Sequence, residues 1–302
     1  MKTKNHQMKI ISLIQQLLLL LTSLFISTVA VHAQSTPKST GYAPVNGLKM
    51  YYEVYGEGKP IILLHGSYMT IGLNWSQLMP ELSKSHKVIA VEMQGHGHTA
   101  DIDRAPSYKA LADDVAGVLK HLKIDSADVL GYSLGGTVAY QFAIDYPKMV
   151  NKLIIISSVY KYKGWQQEVL DILKTMSPEF LDATPLKTEY ERTSPKPGNW
   201  RAFLTKFIEF DKKDFDLGEE KIRNIKKPVL IINGDNDGVD KEHIFKSYKL
   251  VGGSVFADMT GVPPSRLAIV PATSHVTLMM ETQKLWAIIQ PFIDNVAPLS
   301  LQ

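Results

Sequence analysis

The chain of 302 residues contains no cysteine. That absence excludes disulfides, thiolate chemistry and a cysteine-borne lipoprotein anchor, so stability has to come from a core that a chain of this length can supply. Charge of one sign is scarce as well. The formal net charge of +3 rests on Lys2, Lys4 and Lys9, in a stretch Met1–Ala33 that holds no acid; beyond it stand 30 basic and 30 acidic side chains. A balanced chain of this kind carries no electrostatic footprint for nucleic acid or for a membrane surface. No HExxH stretch occurs, and no G-x-G-x-x-G follows the first strand-like run, which removes the commonest zinc-hydrolase and dinucleotide signatures. Internal repeats and low-complexity segments are absent too.

Met1–Ala33 reads as an export signal. A lysine-bearing start leads into an apolar run from Ile10 to Val31, broken by Gln15-Gln16 and small hydroxyl residues. Val31-His32-Ala33 then offers small residues at the two positions a signal peptidase reads, so the expectation is cleavage after Ala33 and a periplasmic or secreted protein. The competing reading is a retained anchor, because Leu17–Val31 with its flanks approaches spanning length. Residues 34–43, polar and rich in Ser, Thr, Pro and Gly, read as a linker.

After the linker, short apolar runs alternate with helical stretches. The runs are Ile61–Leu64, Val88–Val91, Val129–Leu130, Leu153–Ile156, Val229–Ile232 and Leu267–Val270; each lacks polar alternation, as expected of strands covered on both faces. Helices are predicted at Trp75–Leu82, Tyr108–Leu122, Leu134–Tyr146, Lys241–Leu250 and Thr282–Asn295, and an antiparallel strand at one edge at Tyr51–Val54. The implied class is α/β: a mostly parallel sheet with helices on both faces. About 70 residues separate the runs ending near Ser157 and starting at Val229, far more than one crossover needs. Dense in aromatics and punctuated by prolines, residues 160–217 read as a helical cap over the carboxyl edge of the sheet, inserted into a core of residues 44–159 and 218–302. The alternative is a pair of extra helices whose aromatics are core. A shorter excursion, Gly252–Ser265, is expected at the rim of a site.

The chemistry centres on Gly131-Tyr132-Ser133-Leu134-Gly135, a G-x-S-x-G motif between the strand-like Ala127–Leu130 and a helical run. Strand, tight turn and helix are the setting in which such a serine projects clear of the backbone as a nucleophile. A serine hydroxyl needs an adjacent base, and His275, in the loop after the last strand-like run, can reach the same sheet edge. The base needs an orienting acid, and the loop after Val229–Ile232 supplies Asp235 and Asp237, with Asp240 just beyond. Ser, acid, His is also the chain order that accompanies a G-x-S-x-G elbow. The backbone N–H groups of Leu134 and Ser67 are the candidate oxyanion donors, with His65 stabilising the loop that carries Ser67. In Gln94-Gly95-His96-Gly97-His98 no carboxylate stands at ligand spacing, so the histidines are not read as a metal site.

Taken together, His65-Gly66, Gly95-His96-Gly97, Gly131–Gly136, Gly234–Asp237 and His275 resemble the α/β-hydrolase fold superfamily across about Val45 to Val296. The resemblance matches Ser133 to the nucleophile, Asp237 to the acid and His275 to the base, and leaves Asp235 as a turn residue. Serine at the elbow argues against haloalkane dehalogenases and epoxide hydrolases, which carry aspartate there. Two departures stand out: Gln94 replaces an arginine often found before the G-x-G turn, and Thr99 replaces the usual serine after it. The run from Gln94 to Arg104 looks like that of secreted esterases that include macrolide-ring esterases. The resemblance implies a serine esterase or lactonase for a bulky, largely apolar small molecule, 16-membered macrolides among the candidates. It would use no cofactor, no metal and no nucleic acid, and would have no stable membrane insertion once the signal is cut. Tyr132, His98, Trp165 and Tyr68 are its candidate substrate contacts. The same fold also supports general carboxylesterase, perhydrolase, amide-cleaving or C–C hydrolase chemistry, and a non-catalytic ligand-binding protein is the reading from another class.

Overall fold

The structure, a computed structural model, describes residues 36–296. The export signal expected over Met1–Ala33 lies outside the described residues. Eight strands form one sheet: β1 (Ser39–Val45), β2 (Leu48–Tyr55), β3 (Lys59–Leu64), β4 (His86–Val91), β5 (Ala127–Tyr132), β6 (Val150–Ile156), β7 (Val229–Asn236) and β8 (Arg266–Ser274), in the order β1-β2-β4-β3-β5-β6-β7-β8. From β4 to β8 neighbours run parallel, whereas β1 pairs with β2, and β2 with β4, antiparallel.

Alternate residues of the parallel strands enter two separate cores. Ile62, Leu64, Val129, Leu153, Ile155, Val229 and Ile231 face the side covered by helices Tyr108–His121 and Leu134–Asp145. Ile61, Leu63, Leu130, Ile154, Ile156, Leu230 and Ile232 face the side covered by Trp75, Leu82 and helix Thr282–Ile293. Burial on both faces is why these strands show no polar alternation.

Three sequence expectations change. The linker predicted over 34–43 gives way at Ser39 to a full strand, because Asn46 and Gly47 both take positive φ (46° and 85°) and fold β1 back onto β2 in register from Val45↔Leu48 to Ser39↔Val54. Two consecutive left-handed residues are the requirement of a tight hairpin turn, which Asn-Gly meets most readily. The edge therefore belongs to β1, and the strand around Tyr51–Val54 lies inside it. The helix predicted over Trp75–Leu82 is two pieces, Ile71–Trp75 and Met79–Leu82, the second carrying Pro80 in its first turn, where a missing N–H costs nothing.

Between β6 and β7 the chain forms helices Gln167–Thr175, Pro185–Thr193 and Trp200–Asp211. Tyr190, Trp200, Phe203, Phe207 and Phe210 are all buried and pack on one another, with Tyr190 and Phe203 stacked at 4.9 Å. Most aromatics of this segment are thus buried in the core on the side of helices Tyr108–His121 and Leu134–Asp145. Among the described residues no helix is long and apolar enough to cross a membrane.

Candidate active site

A sharp turn joins β5 to the helix Leu134–Asp145. Ser133 sits there at φ 53°, ψ −118°, a conformation that non-glycine residues adopt at a cost of roughly 1–3 kcal/mol unless their surroundings impose it. The surroundings do so. The Ser133 N–H donates to the Ile156 carbonyl at 3.0 Å, and the Ser133 carbonyl accepts from Ser158 Oγ at 2.6 Å. Side chains are excluded from both neighbouring layers: a Cβ on Gly135 would strike the carbonyls of Leu64 and His65, and one on Gly131 the carbonyl of Gly135. The elbow needs its glycines for close approach of backbone to backbone.

The carboxyl ends of β7 and β8 bring two more groups to this point. His275 Nε2 lies 3.0 Å from Ser133 Oγ, and its Nδ1 lies 3.0 Å from Asp237 Oδ1. The structure therefore assembles Ser133, His275 and Asp237, residues far apart in sequence, in one hydrogen-bonded line. Asp237 is buried and fully engaged: Val239 N–H donates to Oδ1 at 3.1 Å and Ser157 Oγ donates to Oδ2. Burial pushes its carboxyl up, but the His275 hydrogen bond and charge, with Ser157 and the Val239 amide, outweigh that and hold it below the usual carboxylate range. Asp235 turns away, its Oδ1 accepting from the Thr273 N–H at 3.0 Å, so it supports the His275 loop from outside.

The loop after β3 faces the same hydroxyl. Gly66 lies against Tyr132 and the Cβ of Ser133 and donates its N–H to Asn74 Oδ1 at 2.8 Å. Among the described residues the backbone N–H groups of Ser67 and Leu134 find no acceptor, and Leu134 opens its helix, so both remain available to developing negative charge. His65 and His96 buttress this loop. His65 Nδ1 meets the Gly66 carbonyl at 2.8 Å and its Nε2 accepts from Met93 N–H at 3.0 Å; His96 Nδ1 meets the Gln94 carbonyl at 2.9 Å and its Nε2 accepts from Tyr68 N–H at 3.1 Å. In each ring Nε2 is an acceptor, which fixes the neutral Nδ1–H tautomer, and burial pulls both below the ordinary histidine value.

The four expected substrate contacts divide. Trp165 stands edge-on to the His275 ring, centroids 5.6 Å apart, and Tyr68 lies on the loop beside Ser67. The other two require correction. Tyr132 is buried, and its hydroxyl donates to the His275 carbonyl at 3.0 Å, so it supports the His275 backbone instead of lying open to a ligand. His98 is held by Glu92: this buried carboxylate accepts from its backbone N–H at 2.6 Å and meets its Nδ1 at 2.9 Å, raising its pKa through that hydrogen bond. It lines a separate cavity of about 390 Å³ with Tyr51, Glu53, Met79 and Arg192, to which none of the three aligned residues contributes. The two departures near His98 are structural: Thr99 Oγ1 bridges the Glu92 carbonyl and the Tyr51 N–H, and Gln94 Oε1 accepts from Arg104 Nε at 2.8 Å.

Two residues of the site go beyond those expected from the sequence. Ser157 could have been found, since it closes β6 at the sheet edge where ligands bind. Asp211 could not: it is one acid at the end of an aromatic-rich helix, and only the fold brings its carboxylate to Tyr68 Oη at 2.7 Å and Ser67 Oγ at 3.5 Å. Burial pushes that carboxyl up to about 6, the two hydroxyls opposing.

Comparison with known proteins identifies the fold. Residues 59–214, just over half of the chain, match the alpha/beta hydrolase fold family. The chain belongs to that family. It is 29% identical over 213 residues to a 2-hydroxy-6-oxo-2,4-heptadienoate hydrolase of Pseudomonas putida, covering 64% of this chain and 77% of the relative. It is 25% identical over 264 residues to a pimeloyl-[acyl-carrier protein] methyl ester esterase of Vibrio cholerae, covering 78% and 94%. Among solved structures, a meta-cleavage product hydrolase from Pseudomonas fluorescens superposes with a TM-score of 0.69 at 21% identity, over 86% of this chain and 98% of that one. This α/β hydrolase is thus similar to proteins named as a heptadienoate hydrolase, a meta-cleavage product hydrolase and a methyl ester esterase alike.

Proposed function

We propose that this α/β hydrolase is a serine hydrolase that cleaves an ester or lactone of a bulky small molecule, with Ser133 as nucleophile, His275 as base and Asp237 as orienting acid. The observation that carries the reading is the pair of 3.0 Å contacts on the two nitrogens of His275. Ionised Asp237 accepts a hydrogen bond from the Nδ1–H of His275, so Nε2 is left with its lone pair toward Ser133 Oγ. His275 removes the hydroxyl proton as Oγ attacks the carbonyl carbon; the oxyanion rests on the N–H groups of Leu134 and Ser67, and His275 then protonates the leaving alcohol. Water repeats the cycle on the acyl-enzyme and returns the acid.

Support for a bulky substrate lies in the cap, now through fewer residues than its aromatic content implies. Trp165 stands beside His275, and the cap's Met176, Leu181 and Leu186 are only partly buried. A macrolide lactone is the specific substrate we put forward, on the Gln94–Arg104 resemblance, and export after cleavage at Ala33 is proposed with it. C–C hydrolysis is the second reading, favoured by the 29% identity to the heptadienoate hydrolase.

The test incubates purified protein and its Ser133→Ala variant with a 16-membered macrolide, an aryl ester and a vinylogous diketo acid, and reads product masses. A gain of one water on the macrolide, absent with the variant, supports the lactone reading. Cleavage of the diketo acid alone replaces it with the C–C reading, and no serine-dependent product from any of the three ends the hydrolase assignment.

A further inference from the structure

Asp211 breaks three rules at once. It is the last residue of the helix Trp200–Asp211, where the macrodipole is negative and a carboxylate is unfavourable. It is largely covered by protein, yet among the described residues no lysine, arginine or histidine pairs with it; the adjacent Lys212 pairs with Glu209 instead. Burial also works against its ionised form. A group kept where helix dipole, burial and missing counter-charge all oppose it is a candidate for function over stability. Its partners say which function: the hydroxyl of Tyr68 at 2.7 Å and, more weakly, that of Ser67 at 3.5 Å, two consecutive residues of the loop that offers the second oxyanion donor.

We propose that Asp211 is a positioning residue that fastens the oxyanion loop to the cap and so holds the Ser67 N–H toward the carbonyl attacked by Ser133. The proposal rests on the serine-hydrolase reading above. The loop needs fastening because Tyr68 sits at φ 63°, a left-handed conformation that its own side chain disfavours. Its N–H is held by His96, and that ring is gripped edge-on by Phe203 and Phe207, from the same helix that ends in Asp211. One cap helix therefore holds Tyr68 at both ends, through His96 at the backbone and through Asp211 at the hydroxyl. Between these two anchors the Ser67 N–H is left free. The cap thus becomes part of the catalytic apparatus, so a cap that lifts away would carry the donor out of line.

The experiment compares the full chain with Asp211→Asn, Tyr68→Phe and the double variant. It measures kcat and KM for an aryl ester, inhibition by an aryl trifluoromethyl ketone that adds to serine as a tetrahedral anion, and hydrogen exchange of residues 66–70. Removing an oxyanion donor outright costs on the order of 10²–10³ in kcat, so a misplaced one should cost roughly 10–100-fold. Expected for Asp211→Asn is that loss in kcat with KM within about two-fold, a Ki for the ketone weakened by the same factor, and faster exchange in the loop. Tyr68→Phe should show the same pattern more mildly, and the double variant should lose no more than Asp211→Asn alone, because both act through one contact. Tyr68→Phe removes a single oxygen and carries the test if Asp211→Asn does not fold. A rise in KM with kcat unchanged, or additive losses, would overturn the proposal and make Asp211 part of the substrate wall. If the wild-type chain cleaves no ester, the ester reading fails on its own; loop exchange then decides, and unchanged exchange in both variants overturns the positioning role.

Discussion

Ser133 and the helical segment between β6 and β7 are held in different ways. Ser133 is fixed mostly by main chain: its amide donates to the Ile156 carbonyl, its carbonyl accepts from the Gly136 and Thr137 amides besides the Ser158 hydroxyl, and backbone packs on backbone at Gly131 and Gly135 so closely that no side chain fits between. The cap is fixed by side chains: an aromatic stack from Tyr190 to Phe210, a histidine wedged against two phenylalanines, and one carboxylate holding hydroxyls. Backbone geometry tolerates few sequences and does not vary without breaking, whereas side-chain packing can be rebuilt one residue at a time. One fold can therefore keep a single nucleophile and change what it acts on.

Breaking the backbone-held region at its reactive atom should have the largest effect. Ser133→Ala should lower kcat by on the order of 10⁴-fold or more while the thermal midpoint stays near that of the parent, measured by stopped ester assay and calorimetry. Next, Asp237→Asn should cost about 10³–10⁴-fold, since the amide favours the wrong tautomer of His275. Asp235→Asn should leave kcat within a few-fold, because that carboxylate meets only the loop backbone and Asn236; equal losses in the two variants would sink the assignment of Asp237.

The side-chain-held region should respond in stability. Phe203 is buried among Tyr190, Trp200, Phe207 and His96, and Phe203→Ala should cost about 3–5 kcal/mol by denaturant titration. A loss under roughly 1 kcal/mol would mean that the cap is not a packed unit.

The smallest effect is in pH dependence. His65 and His96 are held neutral by burial, below their unfolded value of about 6.5. Below that pH the unfolded chain takes up protons that the folded chain refuses, so stability falls as pH drops from about 6.5 toward the lower folded values, by up to about 1.4 kcal/mol per pH unit for each ring. Asp211, raised to about 6, works in the opposite sense, adding stability as pH falls from there toward the unfolded carboxylate value. His96→Gln should flatten the decline between pH 7 and 5.5 in urea titrations, and an unchanged slope would assign the loss elsewhere.

The parallel strands were legible because each holds a short unbroken apolar run, and the elbow because its glycines are required by contact distances that no other residue meets. The Asn46-Gly47 turn has a local signature too, but Ser39–Ala43 resembles a linker in composition, and only pairing with β2 makes it a strand. His98 shows the converse failure. The resemblance offered it as a substrate contact, but buried Glu92 holds its ring in a cavity to which Ser133, Asp237 and His275 do not contribute. The cap aromatics looked like a ligand-binding wall and are mostly core, since composition does not say which way a ring points.

By itself the sequence determined the layered α/β architecture, the place of Ser133 and the loops that carry His275 and its acid. Each follows from local rules of burial period, glycine geometry and chain order. Tertiary structure decided that Asp237 Oδ1 meets His275, as the resemblance implied, and alone decided that Tyr132 is buried, that Glu92 holds His98 and that Asp211 reaches the loop of Ser67 and Tyr68. Those outcomes depend on distances between residues up to 144 positions apart, which no local pattern encodes.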